Sequence, residues 1–171
     1  MPTISQGVQD ALNDQINHEF HAAYTYLSMS AYFENTNLPG FAGWMRAQAR
    51  EEILHGMKLF DFVNDRNGRV VLKEVEAPPI DFKSPLDVFE RALKHEQKVT
   101  GMINHLYEVA AKANDFAAQV ALQWFITEQV EEEKTADMVV EQLKMIGNDR
   151  PALLVLDREM GARPSEENGA A

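Results

Sequence analysis

Two pairs of polar residues, each spaced three positions apart, have side chains that could do metal chemistry. The pairs are Glu52 with His55 and Gln129 with Glu132. Residues i and i+3 share one face of a helix, so both members of a pair can point at a single ion. The spacing therefore predicts two half-sites, each on its own helix.

A lone glutamate precedes each pair by the same interval. Glu19 lies 33 residues before Glu52, and Glu96 lies 33 residues before Gln129. If each glutamate faces its pair across a helical hairpin, two such hairpins related by a pseudo-twofold axis would form one dinuclear site. The repeated interval is thus a second signal, independent of the spacing within the pairs.

These residues interrupt four otherwise apolar stretches. Each stretch repeats apolar residues at steps of three and four, the period of a helix face buried in a bundle. The interruptions are Glu19 in the first, Gln48, Glu52 and His55 in the second, Glu96 in the third, and Gln129 and Glu132 in the fourth. A buried carboxylate costs several kcal/mol unless it is protonated, paired or bound to a cation. No Lys or Arg lies on these faces, so a multivalent metal is the simplest neutraliser.

The donor set consists of hard oxygen ligands and one imidazole. Such ligands favour iron or manganese over copper or structural zinc, and the spacing alone does not separate iron from manganese. The chain contains no cysteine, which excludes disulfides, iron–sulfur clusters and zinc sites made of thiolates.

The elements that must carry these residues are four long helices. Their ends are marked by helix-breaking or capping residues, namely Asn37 to Gly40, Asn67-Gly68, Ser84-Pro85, Asn114-Asp115 and Gly147-Asn148. The connection between the first and second helices is short, and so is the connection between the third and fourth. Short connections predict two antiparallel hairpins. The connection from Asn67 to Lys83 is long enough to return along the whole bundle, because about 16 extended residues reach roughly 50 Å.

The fold class predicted is therefore all-α, a four-helix bundle of two antiparallel hairpins joined by a long crossover. A short apolar segment, Pro151 to Leu156, would form a fifth helix that must pack on the bundle or on another subunit. We expect residues 1–160 to form one domain and residues 161–171 to form a disordered tail.

The composition excludes several classes of protein. The formal net charge is −11, and no basic cluster is present to bind nucleic acid. The N-terminus lacks a basic start followed by an apolar run, so no secretion signal is visible, and no apolar stretch is long enough to span a bilayer. A cytoplasmic protein is the default expectation.

Several longer motifs carry a resemblance to a known family. They are Glu19-x6-Tyr26, Glu51-Glu52-x-x-His55, Glu96 and Trp124-x3-Glu128-Gln129-x-Glu131-Glu132. Through them the sequence resembles the bacterial non-haem ferritins over nearly all of residues 1–160. Ferritin-like di-iron proteins place a Glu from each of two helices beside Glu-x-x-His pairs from the other two.

The resemblance implies a role for each ligand. Glu19 and His55 would hold the first iron, Glu52 would bridge both irons, and Glu96 and Glu132 would hold the second. An additional iron site near this centre would be formed by Glu51, Glu128, Glu131 and Glu132.

The resemblance also implies roles for three neighbouring residues. Gln129 would sit beside the site, where other di-iron proteins have an acidic ligand, and would loosen the second position so that ferric product can leave. Tyr26 would hydrogen-bond a ligand and could give up an electron. Trp124 corresponds to a family residue of less certain purpose.

The sequence differs from the motifs of three related families, which makes membership of those families less expected. A bacterioferritin would carry Glu-x-x-His on the fourth helix and a haem-ligating Met after the second-helix Glu, whereas this chain has Gln129-x-x-Glu132 and Ile53. No haem is therefore expected. Rubrerythrin-like oxidases need cysteine ligands, and miniature ferritins usually lack the fifth helix.

The function implied is iron storage and detoxification by a ferroxidase. Fe(II) would be oxidised with O2 or hydrogen peroxide, and Fe(III) would be stored as mineral inside a homo-oligomeric cage of 24 chains, with no nucleic-acid or membrane partner. Two alternatives stay open: a di-metal oxidase of an organic substrate, and a metal-free helical interaction protein whose polar layer only fixes register. The remaining histidines, His18, His21, His95 and His105, fall off the inner faces and are expected to be solvated or at an interface.

Overall fold

The computed structural model describes residues 4–162 and confirms the all-α prediction. Its five helices are α1 (Gln6–Asn35), α2 (Pro39–Asp65), α3 (Pro85–Lys112), α4 (Phe116–Ile146) and α5 (Arg150–Gly161), and no strand occurs within residues 4–162. No helix in this range is both long and apolar enough to cross a bilayer. Of the expected tail, residues 163–171 lie outside the described residues.

The predicted capping residues begin and end these helices. Ser84 is the N-cap of α3, where its hydroxyl accepts a hydrogen bond from the Asp87 backbone N–H at 3.1 Å, and Pro85 occupies the first helical position. Asp115 and Asp149 accept in the same way at the starts of α4 and α5. Each cap satisfies one of the backbone N–H groups that a helix start leaves unpaired.

Asparagines with positive φ end the first three helices. Asn37, Asn67 and Asn114 have φ of 60°, 53° and 53°. This left-handed region is one that Asn enters more readily than most residues, because its short polar side chain can bond locally. The helices therefore stop at the places that the sequence predicted.

The long connection returns along the bundle as predicted. Near its start, Asn13 of α1 donates to the Arg69 carbonyl and accepts from the Val71 N–H, each at 3.0 Å. Near its end, the Ser28 hydroxyl donates to the Pro79 carbonyl. Asn13 and Ser28 lie on the order of 20 Å apart along α1, at about 1.5 Å per residue. The second hairpin consequently starts at the opposite end from where the first one finishes.

A polar layer divides the apolar core into two clusters. One contains Phe33, Phe41 and Phe89, and the other contains Leu12 and Leu122. On each of the four long helices, the residues of one cluster are followed by the polar positions and then by residues of the other cluster. The fold thereby brings the four polar interruptions to one level of the bundle.

The fifth helix packs on the start of α2. Asp157 is buried, and its Oδ1 accepts a hydrogen bond from the Phe41 N–H at 2.8 Å. A Cβ atom at Gly40 would lie 1.7 Å from the Asp157 carbonyl oxygen, and one at Gly161 would lie 2.8 Å from the Gly40 Cα. The main chains of α2 and α5 are therefore in direct contact, which only glycine permits at these two positions.

Candidate metal centre

Six of the predicted site residues lie together in the polar layer. Their exposed fractions are 1% for Glu19, 2% for Glu52, 6% for His55, 1% for Glu96, 5% for Gln129 and 7% for Glu132. Burial of four carboxylates at one level is unusual, because acidic residues are almost never buried unless they are paired. Within residues 4–162, none of these carboxylates forms an ion pair with Lys or Arg.

The first hairpin provides a group of three residues that could bind a metal ion. One ligand atom each from Glu19, Glu52 and His55 lies within 4.8 Å of the other two, and His55 Nδ1 is 3.3 Å from Glu52 Oε2. Glu19 Oε1 accepts from Gln15 Nε2 at 2.8 Å, whereas Glu19 Oε2 is buried without a hydrogen-bond partner. A buried oxygen without a partner is costly, so this atom requires a proton or a cation.

On the second hairpin, the carboxylates predicted to bind metal already accept hydrogen bonds. Tyr26 donates its phenolic proton to Glu96 Oε1, and Gln129 Nε2 donates to Glu96 Oε2 at 3.2 Å. Glu132 Oε2 accepts from Gln48 Nε2 at 2.8 Å. The protein itself therefore satisfies several oxygens that a metal would otherwise use.

A second group of possible ligands adjoins the first. Potential ligand atoms of His55, Glu128 and Glu132 also lie within 4.8 Å of one another. His55 is therefore a member of both groups. Of the other residues expected at an additional iron site, Glu51 is half-buried and Glu131 is exposed. Neither Glu51 nor Glu131 belongs to a group of this kind among the described residues.

The electrostatics of the layer favour a bound cation. Burial raises the pKa of Glu19 and Glu52 well above the usual range, and neighbouring carboxylates raise both further. Burial likewise raises the pKa of Glu96. Burial and the charge of Glu96 raise the pKa of Glu132 to about 7. A divalent ion would replace the protons that these carboxylates otherwise retain.

Tyr26 lies beside this layer as a protonated phenol. It is 1% exposed, and burial together with the charge of Glu96 raises its pKa well above the usual value. The phenol therefore keeps its proton at neutral pH and donates it to Glu96.

Trp124 connects the centre to the surface. Its ring meets that of His55 edge-on at 5.3 Å between centroids, while 38% of the residue is exposed. The Lys58 ammonium lies 3.6 Å from the centre of the indole ring. This contact is within the range of a cation–π interaction, which holds the indole in a defined orientation against His55.

His95, which was expected to be solvated or at an interface, is half-buried. Its ring meets that of Tyr26 edge-on at 6.1 Å, and its Nε2 is buried without a hydrogen-bond partner. Burial lowers its pKa to about 4. His105 is exposed, and His18 and His21 are half-buried.

Gln15 and Gln48 contribute to the centre although no role was predicted for them. Each lies four positions before a predicted glutamate ligand, Glu19 or Glu52, and each donates to a carboxylate of the centre. The repeated i−4 interval on both helices is a signal that could have found them. That Gln48 reaches across to Glu132 on α4 is visible only in the structure.

Known proteins share sequence similarity with nearly the whole chain. A family described as the ferritin-like domain matches residues 9–146. The chain is 41% identical to a bacterial non-heme ferritin of Staphylococcus aureus over 164 residues, which cover 96% of this chain and 99% of the relative. A bacterial non-heme ferritin of Staphylococcus haemolyticus shows the same identity and coverage.

Solved structures show the same fold. An open pore ferritin from the archaeon Archaeoglobus fulgidus has a TM-score of 0.94 and 50% identity, and the match covers 95% of this chain and 100% of that one. A humanized archaeal ferritin has a TM-score of 0.94 and 48% identity, with 95% and 98% covered.

Proposed function

We propose, from the premise that this chain belongs to the ferritin family, that it oxidises Fe(II) at the dinuclear centre and stores Fe(III) as a mineral. The observation that carries the proposal is a layer of four buried carboxylates without Lys or Arg partners, in which Glu19 Oε2 has no hydrogen-bond partner. Iron is thus the substrate of this site.

Each residue of the centre has a proposed task. Glu19 and His55 bind the first Fe(II), Glu52 bridges the two ions, and Glu96 and Glu132 bind the second. The short distances within the group of Glu19, Glu52 and His55 support this division. The protons displaced from the carboxylates leave as Fe(II) enters, which keeps the layer near neutrality.

Gln129 is proposed to lower the negative charge at the second position. Gln129 follows Glu96 by 33 residues, as Glu52 follows Glu19. Its neutral amide therefore occupies the position that corresponds to the proposed bridging carboxylate of Glu52. Fe(III) binds carboxylates more strongly than Fe(II) does because of its higher charge, so a neutral ligand favours release of the oxidised product. Tyr26 holds Glu96 in place and is proposed as an electron source.

The reaction transfers one electron from each Fe(II) to the oxidant. Two Fe(II) ions supply the two electrons that reduce O2 to hydrogen peroxide, or hydrogen peroxide to water. Glu51, Glu128, Glu131 and Glu132 are proposed to bind an additional iron beside the centre, and the proximity of Glu128 to Glu132 supports two of these four.

A stopped-flow titration tests the ferroxidase proposal. Anaerobic protein is loaded with increasing Fe(II), mixed with O2 and followed by absorbance. We expect a fast phase that saturates at about two Fe(II) per chain, one for each half-site. Oxidation no faster than in buffer would contradict the proposal and favour a metal-free structural bundle. The natural control is Glu141→Ala, which removes an exposed carboxylate of α4 away from the centre.

Storage requires a cavity larger than one bundle provides. We propose that the chain assembles into a cytoplasmic cage of 24 subunits, with α5 lining the fourfold axes. Apolar residues that stay exposed at this end of the chain support burial against another subunit, among them Met145 at 79%, Leu154 at 48% and Val155 at 54%.

Deletion of residues 148–171 tests this assembly. We expect the truncated protein to elute as smaller species in size-exclusion chromatography with light scattering, because the apolar surface of α5 is lost. Residues 1–160 are proposed to form one domain. Apart from Leu156, however, the buried residues of both apolar clusters lie within residues 4–143, so the four-helix bundle should keep its helical circular dichroism. An intact cage after the deletion would refute the role of α5.

A further inference from the structure

A hydrogen-bonded chain leads away from the candidate centre along the second hairpin. Gln129 Nε2 donates to the Glu96 carboxylate and to the Glu96 backbone carbonyl, each at 3.2 Å, and lies 3.5 Å from Thr100 Oγ1. The Thr100 hydroxyl in turn donates to Glu133 Oε1. Thr100 and Glu133 are 33 residues apart, the same interval as Glu96 and Gln129. The chain therefore crosses the hairpin about one helical turn beyond the centre.

This chain determines which end of the Gln129 amide faces α3. The amide nitrogen donates and the amide oxygen accepts, so the two orientations of the group are chemically different. A threonine hydroxyl can normally serve either end. Here its only proton goes to Glu133, so Thr100 presents lone pairs to Gln129. All three neighbours on the α3 side are consequently acceptors, and they require the nitrogen.

The contact with Thr100 contributes more to the orientation of the Gln129 amide when a cation is bound at the centre. The Glu96 carboxylate accepts from both Tyr26 and Gln129. When that carboxylate binds a cation, its oxygens are shared with the metal and attract the amide nitrogen less strongly. The backbone carbonyl of Glu96 and the Thr100 hydroxyl then remain to hold the amide.

We propose that Thr100 and Glu133 are positioning residues that keep the Gln129 carbonyl oxygen turned toward the dinuclear centre as a neutral ligand. The inference rests on the proposed function, because it concerns the Fe(II) position formed by Glu96, Gln129 and Glu132. An amide oxygen can bind Fe(II), whereas an amide NH2 group cannot. Residues that orient a metal ligand from behind typically change metal affinity by about 10- to 100-fold when they are lost.

Anaerobic calorimetric titration with Fe(II) tests the inference without any oxidation step. The decisive pair is Thr100→Val, which removes the hydroxyl at nearly constant shape, and Thr100→Ser, which retains it. Of the two Fe(II) steps of the dinuclear centre, we expect Thr100→Val to weaken the one proposed for Glu96, Gln129 and Glu132 by about 10-fold. This step should be the weaker of the two because its carboxylates already accept hydrogen bonds, and the tighter step should not change. Thr100→Ser should bind like the wild type.

A second variant keeps the test decisive if Thr100→Val fails to fold. Glu133 is only half-buried, so Glu133→Ala should fold, and it frees the Thr100 hydroxyl to donate to Gln129. We expect it to weaken the same step about as much, while Glu141→Ala, an equal loss of charge on the exposed face of α4, leaves both steps unchanged. The double variant should be no weaker than Thr100→Val, because both changes disable one contact.

Several results would overturn the inference. Wild-type binding in Thr100→Val, equal losses in Thr100→Val and Thr100→Ser, or additive losses in the double variant would each exclude a positioning role. These results leave the proposed function intact as long as the wild type binds two Fe(II). A wild type that binds fewer than two would overturn the proposed function together with this inference.

Discussion

The two hairpins place their proposed ligands at the same level of the bundle, but the hydrogen bonds to these residues differ. The first provides Glu19, Glu52 and His55, and the second provides Glu96, Gln129 and Glu132. In the first, one glutamate oxygen is buried without any partner. In the second, Tyr26, Gln129 and Gln48 donate to the carboxylates.

This difference indicates unequal affinities for metal. A carboxylate oxygen that lacks a hydrogen bond gains the most when a cation binds, whereas one that already accepts a hydrogen bond must share or lose it. We therefore expect the first hairpin to hold the tighter Fe(II) and the second to hold the one that exchanges. A repeated fold can in this way give two positions with different tasks.

The largest change is expected from Glu52→Ala, which removes the residue proposed to bridge both iron positions. Without the bridge, the initial rate of Fe(II) oxidation should fall at least about 100-fold. Loss of a residue that only hydrogen-bonds a metal ligand already lowers affinity or activity by up to about 100-fold, and loss of the ligand itself should cost more. Stopped-flow absorbance measures the rate, with Glu141→Ala as the control. Iron binding by Glu52→Ala as tight as in the wild type would refute the ligand assignment.

A pH-dependent stability difference should distinguish Glu132→Gln from the wild type. In metal-free protein, burial and the charge of Glu96 raise the pKa of Glu132 to about 7, above its value in the unfolded chain. At a pH between these two pKa values, Glu132 keeps its proton in the folded state and has lost it in the unfolded state. Proton binding by Glu132 therefore stabilises the folded state at low pH, and this stabilisation is lost as pH rises through the folded-state pKa. Glutamine has no such dependence and can still accept from Gln48.

As pH rises from 5 to 8, the wild type should lose this stability and Glu132→Gln should not. We therefore expect the free energy of unfolding of Glu132→Gln, relative to that of the wild type, to rise by on the order of 2 kcal/mol over this range. Urea unfolding of metal-free protein at several pH values measures this difference. A difference that stays constant over this range would show that Glu132 does not retain its proton in the folded state.

Gln129→Glu should make the hairpins more alike. A carboxylate at this position would tighten the second Fe(II) step by about 10-fold, a change of about 1.4 kcal/mol. It should also slow later turnovers, because ferric product would be held more strongly. Anaerobic titration and a second addition of Fe(II) measure the two effects. Unchanged affinity would mean that this residue does not contact the metal.

The smallest change is expected from Tyr26→Phe. Loss of the phenolic donor leaves Glu96 Oε1 without its hydrogen bond and should lower the free energy of unfolding of the metal-free protein by about 1 kcal/mol. The second hairpin would then resemble the first in having an unsatisfied oxygen. Thermal unfolding monitored by circular dichroism measures the loss, and an unchanged melting temperature would contradict the assignment.

Much of the fold was accessible from the sequence because its signals are local or periodic. Asn37, Asn67, Ser84 and Gly147 mark helix ends through turn and cap chemistry that depends on a few neighbouring residues. The 33-residue interval predicted that Glu19 and Glu52 share one level, because helix geometry converts sequence spacing into height.

Other features depend on side-chain contacts between helices that were not predicted from the sequence. Thr100 reaches Glu133, and Gln48 reaches Glu132, only because particular rotamers meet across the bundle. The contact of His95 with Tyr26 of α1 was likewise not predicted. The position of His95 off the inner face of α3 had indicated a solvated residue or one at an interface.

The main-chain contact between α2 and α5 also determines how a designer could use this protein. Because Gly40 touches Asp157 and Gly161 through backbone atoms, redesign of the exposed α5 side chains leaves the helix in place, whereas one methyl group at Gly40 would displace it. Redesign of the exposed α5 side chains would therefore change the proposed contact between subunits without moving the helix within its own subunit.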